Sequence, residues 1–213
     1  MLLEAFKGGP VATIGSLIAD RRGGTAAVID APLGTAAAMM EKAQGWKTTI
    51  AYLLTTHPHW DHLLDNADLL RRSGAKYGVH HESLQLLAMP QTRRFGLDLE
   101  MPDCKPDFFL EEGKPLPVGN LTFEVLYCPG HCPGSVALFE PQEKIVFTGD
   151  VLFAGSIGRT DLPGGSMETL LHSIRGKLLP LGGDVRVLAG HGPETTIGTE
   201  RRENPFLTGR HRL

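Results

Sequence analysis

The chain has 213 residues, 41% of them hydrophobic and 21% charged, with a formal net charge of −3. That is enough to bury an ample core, with the balance of a soluble globular protein that its length predicts to be one domain, residues 1–213. It shows no basic block for a nucleic-acid partner, no apolar run long enough to span a bilayer, and no charged start with an apolar core that would mark a signal peptide. Three cysteines, Cys104, Cys128 and Cys132, make no disulfide framework and fit a reducing cytoplasm.

Residues 11–19 and 25–29 read as strands joined by a turn at Arg-Arg-Gly-Gly. Asp30 ends the second, and serves either as turn chemistry or as support for a nearby histidine. Residues 34–44, rich in Ala, Met, Glu and Lys, read as a helix stopped by Gly45. A strand over 48–54 feeds the run Thr-Thr-His-Pro-His-Trp-Asp-His at 55–62. Residues 61–72 read as a helix with Leu63, Leu64, Ala67 and Leu70 on one stripe, ended by Gly74. A strand over 75–80 and a short helix over 82–88 follow. Residues 89–114, broken by Pro90, Pro102 and Pro106, read either as a lid or as a surface connection. Strands are expected over 120–127, 135–139, 144–147 and 184–188, with a helix over 166–179. Alternating short strands and helices predict an α/β protein.

The run at 55–62 holds four candidate ligands, His57, His59, Asp61 and His62, in six residues. Clustered histidine and aspartate are what metal sites require. Pro58 has no amide hydrogen and resists helix. An extended chain there turns His57, His59 and Asp61 to one face and leaves His62 for a second ion. Three later polar residues each follow a glycine at the end of an apolar strand: His131, Asp150 and His191. Cys128 and Cys132 flank His131, either as thiolates or as buried small hydrophobes. His80 and His81 lack partners at ligand spacing, and His172 reads as a surface residue.

Thr-His-Pro-His-Trp-Asp-His at 56–62, with His131, Asp150 and His191, resembles the metal motifs of the metallo-β-lactamase superfamily over residues 12–207. The resemblance implies a four-layer αββα sandwich of two mixed β-sheets with a metal pair at one edge. It implies that His57, His59 and His131 hold one ion, that Asp61, His62 and His191 hold the other, and that Asp150 bridges them. Asp61 and Asp150 are then the candidate catalytic carboxylates. Gly-Arg-Thr-Asp-Leu-Pro-Gly-Gly at 158–165 resembles a segment of glyoxalase II-like hydrolases and persulfide dioxygenases. The stretch 190–206 is most similar to short single-domain bacterial glyoxalase II-type proteins. Gly192-Pro193 stands where long glyoxalase II enzymes carry a tyrosine. With 22 residues after His191, no C-terminal helical glutathione-binding domain is expected.

Five imidazoles and two carboxylates suit two zinc ions, and also iron or manganese. Such a pair, about 3.5–4 Å apart, can share a hydroxide that attacks a carbonyl. A thiol leaving group, with pKa about 8.5, departs without a dedicated general acid. The resemblance to glyoxalase II-type proteins, with which this chemistry agrees, implies hydrolysis of a small-molecule, hydroxyacylglutathione-type thioester. The alternatives are a mononuclear iron persulfide dioxygenase using His57, His59 and His131, or hydrolysis of another ester, a lactone or a β-lactam. Tyr77 and Arg201, with Arg202, are read either as substrate contacts or as solvated residues. The oligomeric state stays open.

Overall fold

The computed structural model describes residues 1–210. The first sheet contains β1 (Leu2–Gly8), β2 (Thr13–Ala19), β3 (Thr25–Ile29), β4 (Thr49–Leu54), β5 (Lys76–Val79) and β6 (Phe108–Phe109), side by side in that order. Its first three strands pair antiparallel and the rest parallel. The second sheet contains β7 (Leu116–Val118), β8 (Leu121–Tyr127), β9 (Val136–Glu140), β10 (Ile145–Gly149), β13 (Arg186–Ala189) and β14 (Thr195–Thr196). There only β10 and β13 run parallel. A small hairpin, β11 (Leu152–Phe153) with β12 (Ser156–Ile157), follows β10.

Three apolar layers hold these sheets. Ile18, Ile29 and Leu54 of the first sheet meet Phe123, Leu138 and Phe147 of the second. The outer face of the first sheet is covered by α1 (Ala36–Trp46) and α2 (Asn66–Ser73) through Met39, Trp46 and Leu69. The outer face of the second is covered by α4 (Met167–Ser173) and α5 (Ile197–Glu203) through Leu170 and Ile197. Two mixed sheets with helices on both outer sides are the sandwich that the resemblance implied.

Several boundaries differ from the sequence reading. The edge strand β1 was not expected: its residues are half-buried or exposed and give no clean alternation. Helix α1 runs past Gly45, because Trp46 is buried against the sheet, and ends where Lys47 takes φ 58°. The helix expected from Asp61 starts at Asn66 instead. Asp65 is drawn off: its amide donates to Ala31 and its carboxylate accepts from the first turn of α1. The helix expected over 166–179 is α4 followed by a π turn, Ile174–Leu178, a wide turn that keeps both of those side chains in the core. Short elements such as α3 (Leu84–Leu87) and α6 (Pro205–Thr208) complete the chain.

Candidate metal centre

The centre lies where the strand ends of both sheets meet. His57 and His59 follow β4, His131 lies between β8 and β9, Asp150 follows β10, and His191 follows β13. The chain is extended at His59 and then closes into a 3-10 turn, Trp60–His62, with the His62 amide donating to the His59 carbonyl. This corrects the simple alternation: Asp61 does not share a group with His57 and His59. It joins His62 and His191, while His57 and His59 join His131.

The Asp150 carboxylate stands against both groups. Its Oδ1 lies 3.4 Å from His62 Nε2, and its Oδ2 lies 3.6, 3.8 and 4.0 Å from Nε2 of His191, His131 and His57. Asp61 Oδ2 is 3.2 Å from His191 Nε2 and 3.4 Å from His62 Nε2. His57 Nε2, His62 Nε2 and Asp150 Oδ1 are buried without a hydrogen-bond partner. Unpartnered buried polar atoms are rare, and here all three aim into one small space. A cation is the partner that such a donor set fits.

The outer nitrogens are fixed by their own partners. Asp30 accepts from the Thr56 amide at 2.8 Å, from the Thr56 hydroxyl at 2.7 Å, and from His62 Nδ1 at 2.8 Å. The Thr56 proton is thereby committed, so His57 Nδ1, 3.1 Å from that hydroxyl, donates to it. His131 Nδ1 donates to the Arg159 carbonyl at 2.8 Å. In neutral His57 and His131 this leaves Nε2 without a proton, as a metal ligand must be, with His131 Nε2 2.8 Å from His59 Nδ1; His62 Nε2 faces the Asp61 and Asp150 carboxylates. Asp30 is therefore histidine support. Thr13, whose hydroxyl donates to Asp61 at 2.6 Å, is a further member that the sequence reading missed.

Burial pushes His59 down to about 3, and it pushes His57 and His131 down in the same direction. Burial also opposes charge on His62, but Asp61, Asp30 and Asp150 outweigh it and hold the proton on well above the usual imidazole range. Burial opposes charge on Asp61 and Asp150 as well, yet the neighbouring histidines keep both below the usual carboxylate range. The site thus sets two carboxylates among five imidazoles: burial keeps His57, His59 and His131 neutral, while the carboxylates hold protons on His62 and His191 that a divalent cation would displace.

The other sequence candidates lie elsewhere. Tyr77 is 1% exposed, with its hydroxyl 3.4 Å from Thr55, so it belongs to the core and offers no substrate contact. Arg201 is exposed on α5 and donates to the Leu179 carbonyl, and Arg202 is exposed beside it. Cys128 and Cys132 are fully buried, and burial raises both thiols to about 12, as small hydrophobes rather than thiolates. His80 is buried and stacked 4.4 Å from Tyr127, with Nδ1 accepting from the Glu82 amide. His172 is exposed.

The sequence profile of the metallo-beta-lactamase superfamily matches residues 12–191. Over 191 residues the chain is 43% identical to the hydroxyacylglutathione hydrolase GloC of Haemophilus influenzae, covering 87% of this chain and 88% of that one. The fold matches the crystal structure of the BLEG-1 B3 metallo-beta-lactamase with a TM-score of 0.90 and 36% identity, over 98% of this chain and 100% of that one. It also matches TTHA1623 in a di-iron-bound form, with a TM-score of 0.84 and 34% identity, over 96% and 100%.

Proposed function

The chain belongs to the metallo-β-lactamase superfamily, and within that superfamily of metallo-hydrolases we propose that it hydrolyses thioesters of the hydroxyacylglutathione type. The observation that carries this reading is the Asp150 carboxylate set between two groups of nitrogen and oxygen donors, with its Oδ1 unpartnered. His57, His59 and His131 would hold one divalent ion, and Asp61, His62 and His191 the other, with Asp150 facing both. Zinc suits these donors, and iron or manganese are served by the same types; a di-iron relative supports two ions. Bound there, the ions supply an activated water and polarise the acyl carbonyl.

The chain's own residues do the positioning. Asp30 and Thr56 lock the tautomers of His62 and His57. Thr13 holds Asp61 in place. Asp61 and Asp150 are the proposed catalytic carboxylates, and their charge draws the incoming water. A thiolate leaves without being protonated, since thiols have pKa about 8.5. The 43% identity to a protein named for hydroxyacylglutathione hydrolysis supports this substrate class. The likeness to BLEG-1 favours a second reading, β-lactam hydrolysis by the same groups. The proposed unit is one domain over 1–213. The proposed setting is a reducing cytoplasm, which suits three free thiols. Among the described residues, no helix is long and apolar enough to cross a membrane.

Purified protein should be assayed against S-lactoylglutathione and a β-lactam, with metal quantified in the same sample. Thioester hydrolysis without oxygen, at two ions per chain, is expected. A single iron with oxygen consumption, or turnover of the β-lactam alone, contradicts the proposal.

A further inference from the structure

Leu86, Met89, Pro90, Gln91, Arg94 and Phe95 form the outer wall of a cleft of about 300 Å³ that reaches His59. The opposite wall is Leu162 and Pro163, from the Gly-Arg-Thr-Asp-Leu-Pro-Gly-Gly stretch. Such a volume is at the lower end for small-molecule sites. Met89 and Phe95 line it and are 45% and 41% exposed. Large apolar side chains left open to water beside a reaction centre mark a contact surface. Phe95 is backed by Trp60, with ring centroids 5.7 Å apart.

This wall is fastened to the ligand run. Gln91 Nε2 donates to the Pro58 carbonyl at 2.6 Å and to the Leu86 carbonyl at 2.9 Å, and its Oε1 accepts from the Trp60 amide at 3.2 Å. Two of these bonds go to residues flanking His59, so the wall and the metal centre keep a fixed spacing. The start of the 89–114 segment is therefore part of the site.

Charge selects the occupant. Among the described residues that line the cleft there is no carboxylate, and Arg94 is the one Lys or Arg side chain. Arg159, by contrast, is already closed by two 2.7 Å bonds to Asp161. A guanidinium beside an apolar trough recognises a planar carboxylate. The same cation repels an amine-terminated arm.

We propose that this cleft binds a carboxylate-bearing arm of the thioester, with its stem along Met89 and Phe95 and its carboxylate on Arg94. The assignment rests on the thioester reading above and narrows it to anionic thioesters.

The test is calorimetry on the metal-loaded protein with S-methylglutathione, which cannot be hydrolysed, and with its diethyl ester. The free acid should bind about tenfold more tightly than the diester, the range of one charge-assisted contact. Arg94→Gln should abolish that preference and Arg94→Lys should restore part of it. Arg93→Gln, which alters the neighbouring cavity, should leave it intact. Equal binding of acid and diester, no binding of either, or a preference that survives Arg94→Gln overturns the assignment. S-lactoylglutathione hydrolysis in the same preparation separates the two readings. Hydrolysis with a preference indifferent to Arg94 overturns the cleft and leaves the function. A preference that depends on Arg94, without hydrolysis, does the reverse.

Discussion

His62 Nδ1 lies 2.8 Å from Asp30 Oδ2, and Asp30 itself stands in the left-handed backbone region at φ 57°. A non-glycine residue rarely keeps that conformation unless its surroundings fix it. Here the Thr56 amide and hydroxyl do so, by donating to the same carboxylate. Asparagine tolerates this backbone, but its amide nitrogen can only donate. Asp30→Asn should therefore keep the fold and weaken the ion at Asp61, His62 and His191 by about 10–100-fold. A chelator competition reads this directly. Native affinity for both ions would remove Asp30 from the account.

Gly190 shows why a glycine precedes His191. A β-carbon there would fall on Asp150 Oδ1 and His62 Cε1. Gly190→Ala is expected to push the two groups apart, at about 1–3 kcal/mol of overpacking. Metal content should fall towards one ion per chain while the circular dichroism spectrum stays native. Two ions at native affinity would mean that the centre has slack which the geometry does not suggest.

The buried thiols make a prediction at alkaline pH. Native Cys128 and Cys132 hold their protons to about 12, whereas unfolded thiols release theirs near 8.5. Between those values the unfolded state binds fewer protons, so stability falls as pH rises. Melting temperature should decline from about pH 8.5 upward, and less steeply in Cys128→Ala. In the native protein, half-buried Cys104 should be alkylated first. Fast alkylation of Cys132 would point to a thiolate beside His131.

Glu200 ties the segment after Asp150 to the one after His191. Its buried carboxylate accepts from the Gly155 amide at 2.9 Å, the Thr195 hydroxyl at 2.6 Å and the Asn204 amide at 2.8 Å. Glu200→Ala leaves those donors unpaired, costing about 2–4 kcal/mol and lowering Tm by about 5–10 °C. A melting curve within 1–2 °C of native, on the order of experimental error, would show that water replaces the carboxylate.

The candidate ligands were readable because four of them crowd into residues 57–62 and the other three, His131, Asp150 and His191, each follow a glycine at the end of an apolar strand. What supports them was not. Thr13 and Thr56 look like ordinary strand-end residues, and their bonds to Asp61 and Asp30 span 48 and 26 positions. The grouping of Asp61 was misjudged from alternation because a 3-10 turn intervenes, and Pro58 gave no sign of where it would begin. Tyr77 was read as a substrate contact or a solvated residue, but it is buried with its hydroxyl near buried Thr55. The cleft at Arg94 was hidden in the least regular part of the chain, where the Gln91 side chain ties the path to the Pro58 and Leu86 carbonyls.

The most direct measurement is the metal content of the purified chain beside that of Asp150→Ala. Two divalent ions per chain, falling to one or none in the variant with loss of thioester hydrolysis, is the predicted result. A chain that carries a single ion, or a variant that keeps both ions and full turnover, would contradict the shared role given to Asp150.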